Sequence, residues 1–381
     1  MVILFLLGTA SFSYVSYVSY ALEFSFDDNA DITQLSGFKA SELCAVAENT
    51  HHYIKNQPQD KFAVHAGTVF NSKVFNGKIS LTHVEKTLAF ICQTYRDDVR
   101  NKRLSRLHDK AFVKQHFDFI RWMPDKKTAT EIAEKTDNAV KTRMLNSIPQ
   151  DKIFLTKYYT KLLDASPVKT DIYNQALYAL PHDESGLTLE QAQSKQQQLT
   201  RYQYTRQQVM SGALLDKKLA QPLVWLTAEA LHDVLLQGTG VLKVDGTIRY
   251  FNVHRNNGIA YDYSIGKREQ ARYWYFAEVP SVMGYGVEIE SKIPVKPWVT
   301  FAGNMADIGL GKLIMVKYKS GDQFVNHLGI LADQGGAFDN NLFQLDLLTD
   351  SYRGWTDFHQ TNKHLSDYAK AWFLVLKPQY M

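Results

Sequence analysis

Two aspartates in one stretch are the side chains of this 381-residue sequence with the clearest capacity for chemistry. The stretch Leu328–Leu348 reads LGILADQGGAFDNNLFQLDLL. Asp333 ends its first apolar run, and Asp346 interrupts the second run, beside Gln344, where polar and apolar residues alternate with the period of a strand. A carboxylate held among apolar neighbours acquires a raised pKa. The pattern therefore allows either acid–base chemistry or an ordinary aspartate on a half-buried strand.

The elements that must hold these aspartates are short strands separated by glycines. Such segments run from Met283 to Leu376 and end in AKAWFLVL, which is typical of a strand buried on both faces. A further strand is predicted from Phe154 in FLTKYYTKLLDAS. Asp245-Gly246 lies between VLKV and TIRYF, a strong hairpin signal. A mainly β carboxyl-terminal part follows from these patterns.

The segment DVLLQGTG precedes this hairpin and reads as another strand. Gly238 and Gly240 interrupt it, which favours either a β-bulge or a close approach of the backbone to a ligand. Two helices are predicted upstream, one after Thr188 and one from Thr205 to Leu214 with Gln208 completing a capping box.

The first 150 residues have a mainly helical pattern instead. Helices are predicted after Ser41, after a capping box at Thr82-His83-Val84-Glu85, and over His108–Met123, while KFAVHAGTVFN is expected to form a short strand pair. Six histidines lie in this region without the spacing of metal ligands, so we expect no metal site. They are His51, His52, His65, His83, His108 and His116.

The chain begins with a segment that resembles a secretory signal. Residues 1–21 contain a short apolar core, and Ser19-Tyr20-Ala21 has the small-x-small form of a cleavage site. We expect an exported protein. Only two cysteines follow, Cys44 and Cys92, and they form either one disulfide or two buried thiols.

Composition excludes several function classes. The sequence is 45% hydrophobic and 22% charged, with a formal net charge of +4 and no dense run of Lys and Arg, so nucleic-acid binding is not indicated. No G-x-G-x-x-G or P-loop sequence is present, and we expect no cofactor. A mild positive charge suits an anionic polymer or a phospholipid surface.

An ordered set of motifs from about Phe154 to Leu376 resembles the membrane-bound lytic murein transglycosylase A family. FLTKYYTKLLDAS resembles the family's F-T-G-Y-Y-x-P, and YNQALYALP resembles Y-x-x-P-L-Y-x-x-P. LLQGTGVLKVDG and NNGIAYDYSIG resemble Q-G-S-G-x-L-x-L-x-D-G and N-G-x-x-Y-x-S-I-G. ADQGGAF and FQLDLL resemble A-x-D-T-G-G-A-I and R-x-D-L-F, although Gln334 replaces Thr, Phe338 replaces Ile and Gln344 replaces Arg.

The resemblance implies a mainly β fold: a double-psi β-barrel with a second β-rich domain inserted, preceded by an α-helical amino-terminal region. It implies a catalytic barrel at 151–168 and 284–381 and an inserted glycan-binding domain at 169–283. The residue patterns place a signal peptide at 1–21 and an amino-terminal mainly helical region at 22–150 before them. The implied reaction is non-hydrolytic cleavage of the MurNAc–GlcNAc β-1,4 bond of peptidoglycan, which gives 1,6-anhydromuramoyl ends.

The resemblance also implies residue roles. Asp346 falls on the catalytic aspartate, acting as acid and then as base, and Asp333 on a supporting one. The candidate substrate-binding residues are Thr156, Tyr158, Tyr159, Gln237, Gly238, Thr239, Gly240, Asn257, Gly258, Tyr261, Gly335 and Gly336. Tyr261, Tyr263 and Trp298 are candidates for stacking on sugar rings, with core packing as the alternative.

The implied partner is the glycan strand of peptidoglycan, in the periplasm. Peripheral association with the outer membrane or with a cell-wall complex is compatible with the sequence, although no lipobox cysteine is seen. The oligomeric state stays open. Two alternatives also stay open: a non-catalytic peptidoglycan-binding protein on the same fold, and a conventional polysaccharide hydrolase in which both aspartates react.

Overall fold

The computed structural model describes residues 24–71, 75, 79–335 and 338–381. The predicted signal segment and Gly336 lie outside these residues. The strands are β1 (Phe24–Phe26), β2 (Phe117–Trp122), β3 (Ile153–Ala165), β4 (Gln175–Pro181), β5 (Ala220–Leu226), β6 (Thr239–Val244), β7 (Thr247–Asn256), β8 (Trp274–Val279), β9 (Thr300–Ala302), β10 (Leu313–Ser320), β11 (Gln323–Asp333), β12 (Gln344–Tyr352) and β13 (Tyr368–Leu376).

The helices lie mostly before β3 and inside the segment between β4 and β6. They are α1 (Ala40–Asn56), α2 (Leu81–Arg100), α3 (Lys110–His116), α4 (Lys126–Glu134), α5 (Ala139–Asn146), α6 (Leu189–Ser194), α7 (Arg206–Met210), α8 (Ala213–Asp216), α9 (Ala228–Gln237), α10 (Met305–Ile308) and α11 (Trp355–Asn362). Across the described residues, the search for a helix of the length and apolar character of a membrane span finds none.

Six strands close into a barrel. The hydrogen-bonded order is β13-β10-β11-β9-β12-β3, and β3 pairs back onto β13. Apolar side chains of these strands fill the interior, because closing the sheet leaves alternate residues facing inward. In β12, Leu345 and Leu347 are buried in the core, whereas Gln344 and Asp346 lie on the other face and are partly exposed. The predicted alternation is therefore confirmed.

The long strand β3 connects the barrel to a second β-rich unit. Its first part pairs with β12, with a register shift after Tyr158 and pairing that continues through Lys161. Its last residues, from Leu162 to Ala165, pair with β6. The strands β6, β7 and β8 continue this sheet, and β4 and β5 form a separate pair. This unit has its own buried core, built around residues such as Leu177 and Phe251. The predicted mainly β architecture with a second β-rich unit is confirmed.

The amino-terminal region packs directly on the barrel. Its helices α1 and α2 share one buried core with β10, β11 and β13. Cys44 on α1 and Cys92 on α2 form a disulfide with Cα atoms 4.6 Å apart, which resolves the alternative left open by the sequence. Strand β2 pairs with β13 and so extends the barrel sheet.

Several local expectations were wrong, each because longer-range contacts decide the outcome. The predicted helix over His108–Met123 ends at His116 and continues as β2, whose pairing with β13 satisfies its backbone. The segment KFAVHAGTVFN forms turns and a 3₁₀ helix rather than strands. The capping box of α2 is made by Ser80 and His83, two residues earlier than the predicted pair of Thr82 and Glu85.

The predicted strand DVLLQ is also wrong, since it forms the end of helix α9. Thr227 caps this helix by accepting a hydrogen bond from the backbone N–H of Ala230. Gly238 ends it with a φ of 72°, a left-handed conformation that glycine adopts without steric cost. The predicted helix over Thr205–Leu214 is split in two, with Gly212 at a φ of 104° between α7 and α8.

Candidate active site

The two aspartates are brought together by the short strand β9. Ala302 of β9 pairs with Asp333 of β11 on one side and with Asp346 of β12 on the other. Neighbouring strands lie about 4.8 Å apart, so the two aspartate Cα atoms are roughly 10 Å apart. Directly paired residues project from the same face of a sheet. Both carboxyl groups therefore face the same side of the barrel wall.

Asp346 is held in surroundings that disfavour its charge. Its flanking residues Leu345 and Leu347 are buried, and its Oδ1 atom is buried without a hydrogen-bond partner among the described residues. Burial raises the pKa of Asp346 to about 7, the neighbouring Gln344 amide lowers it, and the charge of Asp333 raises it further. At neutral pH a substantial fraction of Asp346 carries a proton, as a general acid requires.

Asp333 is a different kind of carboxyl group. The hydroxyl of Tyr158 donates to its Oδ2 atom at 2.7 Å, and the backbone N–H of Gln334 donates to Oδ1 at 2.8 Å. Burial raises the pKa of Asp333 to about 6, and these two hydrogen bonds and the charge of Lys292 oppose that rise. Asp333 is therefore the better stabilised carboxylate, and Asp346 is the better proton donor.

Both aspartates line a cavity of about 430 Å³ between the barrel and the inserted unit. Eight of the predicted site residues lie on its wall: Tyr158, Tyr159, Gln237, Gly238, Thr239, Asp333, Gly335 and Asp346. The end of α9 and the start of β6 supply the wall opposite the aspartates, with Gly238 at the turn between them. The structure thus brings predicted residues from three distant segments to one cavity.

Thr156 lies behind this cavity rather than on its wall. It pairs with Asp346 across β3 and β12. The Gln344 amide donates to Thr156 Oγ1 at 2.8 Å, and the Asn341 amide donates to the Gln344 side-chain oxygen at 3.1 Å. Since Gln344 also contacts Asp346, this chain of hydrogen bonds holds the face of β12 that carries Asp346.

Four other predicted residues are not brought to the cavity wall. Gly240 is buried against Val234. The Asn257 side chain is buried and hydrogen-bonds the backbone of Tyr204, Ala271 and Tyr273. The backbone position of Gly258 lies against the Tyr202 ring, and Tyr261 packs edge-on against the Tyr263 ring at 5.0 Å. These residues shape the inserted unit itself.

Trp298, the third stacking candidate, is partly buried against the barrel core. Its carbonyl oxygen contacts His327 Nε2 at 2.6 Å.

Sequence reasoning missed several polar residues of the cavity wall, among them Lys292 and Asn252. Lys292 donates to Asn252 Oδ1 at 2.6 Å, and the Asn252 amide donates to Thr239 Oγ1 at 2.9 Å. Both side chains face the aspartate cavity. Neither belongs to a sequence motif: Lys292 lies in SKIPVK, which carries no pattern, and Asn252 is one polar residue of a strand.

A group with metal-ligand chemistry lies elsewhere, in a larger cavity of about 1230 Å³. The ligand atoms of His254, Glu288 and Glu290 lie within 4.8 Å of one another. Arg255 already donates to Glu288 at 3.1 Å, and the Glu290 side chain is mostly exposed. This group is separate from the two aspartates, which share their cavity with no histidine or cysteine among the described residues.

Comparison with known proteins agrees with the architecture. Residues 154–272 match the family model described as the MltA specific insert domain. A search of curated protein sequences finds no match to this chain. The resemblance to the membrane-bound lytic murein transglycosylase A family is thus supported by the inserted unit itself.

Solved structures of this type share the fold over most of the chain. A membrane-bound lytic murein transglycosylase from Agrobacterium tumefaciens is 14% identical with a TM-score of 0.56, and the alignment covers 94% of this chain and 98% of that one. Escherichia coli MltA with bound chitohexaose is 14% identical with a TM-score of 0.51, and the alignment covers 93% of this chain and 95% of that one. Neisseria gonorrhoeae MltA is 14% identical with a TM-score of 0.54, and the alignment covers 88% of this chain and 87% of that one. The predicted resemblance and fold are confirmed.

Proposed function

We propose that this protein is a lytic transglycosylase that cleaves the MurNAc–GlcNAc β-1,4 bond of peptidoglycan without water. One observation carries the proposal: Asp346 presents a buried carboxyl group with a pKa of about 7 to a cavity between two β-rich units. The MltA-specific insert domain and the shared fold support murein as the substrate.

Asp346 begins the reaction as the general acid. Its protonated carboxyl group donates to the glycosidic oxygen, the bond from that oxygen to C1 of the muramoyl residue breaks, and positive charge develops at C1. Burial makes this step effective, because a carboxyl group with a pKa near the working pH is both protonated and able to release its proton.

Asp346 completes the reaction as the general base. The new carboxylate removes the proton from the C6 hydroxyl of the same muramoyl residue, whose oxygen then bonds to C1. The product is a 1,6-anhydromuramoyl end, and the proton returns to Asp346. Because the substrate supplies its own nucleophile, one carboxyl group is sufficient, in contrast to the pair that a hydrolase needs.

Asp333 acts as the supporting carboxylate. Its negative charge keeps the pKa of Asp346 high and favours the positive charge that develops at C1. Tyr158 and the Gln334 backbone hold it in place through hydrogen bonds of 2.7 and 2.8 Å.

The glycan strand is proposed to lie between the barrel and the inserted unit. Tyr158, Tyr159 and Gly335 form the barrel side of the cavity, and the Gln237–Thr239 turn forms the opposite side. Escherichia coli MltA, which shares this fold, has been crystallised with chitohexaose, an oligosaccharide of comparable backbone. Segment 169–283 would then be the glycan-binding domain, and the signal-like residues 1–21 would direct the protein to the periplasm.

Product analysis of digested sacculi tests this proposal. Purified sacculi are incubated with the wild type, with Asp346→Asn and with Asp350→Asn, and the molecular masses of the released fragments are measured by mass spectrometry. Asp350 is an exposed aspartate on the same strand and serves as the matched control. We expect anhydro ends from the wild type and from Asp350→Asn, and their loss in Asp346→Asn.

Two outcomes would overturn the proposal in different ways. Reducing ends in place of anhydro ends would identify a hydrolase that uses both Asp333 and Asp346. Binding to sacculi without any released product from the wild type would identify a non-catalytic peptidoglycan-binding protein.

A further inference from the structure

The ammonium group of Lys292 lies on the wall of the aspartate cavity. Among the residues that the structure describes, its one hydrogen bond is to Asn252 Oδ1, at 2.6 Å. Among the described residues, no carboxylate lies within the 4.0 Å of an ion pair from its Nζ atom. The side chain is largely buried, and burial lowers the pKa of Lys292 while the charge of Asp333 opposes that effect.

A buried cation without an ion pair is costly to the folded protein. An ammonium group has three donors, and Asn252 uses one of them. The remaining donors belong to a group that lines a cavity of about 430 Å³. An anionic or strongly accepting group of a bound ligand would satisfy them.

The structure fixes this lysine in place from both ends. At its tip, Asn252 is buried and is itself held by Thr239 at 2.9 Å. At its base, Gly286 has a φ of 153°, and a side chain there would come within 2.5 Å of the Lys292 Cα atom. The lysine is therefore positioned before a ligand arrives, which reduces the entropy that binding must overcome.

Murein offers one type of group that matches this cation next to the scissile bond. Muramic acid carries a lactyl ether whose carboxyl function is a carboxylate when free and a carbonyl when a peptide is attached. N-acetylglucosamine lacks this group. A single positive charge beside the catalytic carboxyl groups would thus distinguish the two sugars of the strand.

We propose that Lys292 is a specificity-determining residue that recognises the lactyl carboxyl group of muramic acid. This inference rests on the proposed function, since it places a murein strand in the aspartate cavity. It assigns Asn252 and Thr239 to the support of that lysine, and it predicts that muramoyl-containing glycan binds more tightly than an uncharged chain of N-acetylglucosamine.

Binding of two ligands tests the proposal. The first is peptide-free murein glycan, in which every muramic acid carries a free lactyl carboxylate, and the second is an uncharged hexamer of N-acetylglucosamine. The variants are Lys292→Gln, which removes the charge but keeps a donor for Asn252, and Lys243→Met, which removes the charge of an exposed lysine on β6 outside the cavity.

We expect Lys292→Gln to weaken binding of the murein glycan about tenfold or more and to leave hexamer binding within about twofold. The dissociation constant of the wild type for murein glycan should also rise with sodium chloride, more steeply than that of Lys292→Gln. Lys243→Met should behave as the wild type. Thermal unfolding checks that each variant is folded, and Lys292→Met replaces Lys292→Gln if the latter is not.

Equal loss for both ligands, or unchanged binding of both, would overturn this proposal. A shifted pH profile of cleavage in Lys292→Gln, with an unchanged ratio of the affinities for murein glycan and for the hexamer, would also overturn it. That result would mean that Lys292 acts only by stabilising the charge of Asp333. Anhydro products from the wild type together with any of these results leave the proposed function intact. If Lys292→Gln selectively loses murein binding while the wild type releases no anhydro products, this inference would be supported and the proposed function contradicted.

Discussion

Buried ionisable side chains occur on two sides of the barrel, and the two places differ in the space available to a ligand. Asp333 and Asp346 face a cavity of about 430 Å³. Lys312 lies between the barrel and α2, where its Nζ atom is buried without a hydrogen-bond partner among the described residues and lies 4.6 Å from the centre of the Phe70 ring. The space around it is about 10 Å³, close to the size of one water molecule.

Burial is the largest cause of the displaced pKa in both regions. It raises the pKa of Asp346 to about 7 and lowers that of Lys312 to about 7. A displaced pKa is therefore no sufficient sign of function in this protein. Access distinguishes the two regions, because a ligand can reach the aspartates and none fits beside Lys312. The same change, neutralising a buried charge, should have different consequences at the two places.

The largest effect is expected at Asp346. Asp346→Asn should lower the rate of anhydro product release by about 10³-fold or more, since it removes the proposed general acid and base. It should also raise the free energy of unfolding at pH 8 by about 2 kcal/mol, because the amide cannot ionise in its buried position. Denaturant unfolding and sacculus digestion measure the two quantities.

The sign of the pH dependence follows from the raised pKa. Between pH 3.8 and about 7 the folded protein binds the Asp346 proton more tightly than the unfolded chain does, so the contribution of this group to stability falls as pH rises. The asparagine variant should lack that fall. A variant that is less stable than the wild type at pH 8 would contradict the charge cost assigned to Asp346.

Removing the charge of Asp333 should have a smaller effect. Asp333→Asn is expected to slow anhydro release roughly 10- to 100-fold, as expected for loss of an electrostatic contribution. Since the charge of Asp333 raises the pKa of Asp346, its removal should move the alkaline decline of activity to lower pH. The pH profile of kcat checks this, and an unchanged alkaline limb would show that the two carboxyl groups do not interact.

Neutralising the other buried charge should affect stability alone. Lys312→Met is expected to raise the free energy of unfolding at pH 7.5 by about 3 kcal/mol with anhydro release unchanged within about twofold. The folded-state pKa is depressed, so the unfolded chain binds more protons between pH 7 and 10.5 and wild-type stability rises with pH there. The variant should lose this slope, as denaturant midpoints across that range would show.

If Lys312→Met is folded but has lost activity, the Lys312 region also contributes to function, and the proposed difference between the two regions is wrong. Exposed Lys243→Met is the control for a changed lysine, and its stability should differ from the wild type by less than about 0.5 kcal/mol.

Sequence predicted the aspartate side of this comparison better than the other. Alternation around Asp346 fixed which face it projects from, and ordered motifs brought Asp333, Tyr158 and the Gln237–Thr239 turn to one site, because local patterns encode strands and turns. Lys312 and Lys292 were missed. Nothing local distinguishes a buried lysine from an exposed one, since only packing between distant segments buries it.

The same limit explains the wrong elements. Residues 117–122 became β2 through pairing with β13, more than 240 residues away in the chain, and DVLLQ became a helix because Thr227 and Gly238 cap it. Helix ends that are set by capping residues can be predicted from the sequence when the capping residue is correctly identified. Pairings set by tertiary contacts are not readable from a single sequence, and the predicted domain boundaries stay predictions for that reason.

The smallest effect is expected from the hydroxyl of Tyr158. Tyr158→Phe removes the 2.7 Å hydrogen bond to Asp333, which lowers the pKa of that carboxyl group, so its pKa should rise above about 6. The acid limb of the kcat profile should then shift to higher pH by about half a unit to one unit, with a few-fold loss of rate at pH 6. Tyr159→Phe is the matched control: Tyr159 lies on the same cavity wall, but its ring stacks on Phe358 at 4.5 Å. An equal shift in both variants would mean that the acid limb does not report the ionisation of Asp333. The proposed roles of Asp333 as supporting carboxylate and Asp346 as general acid would then be contradicted.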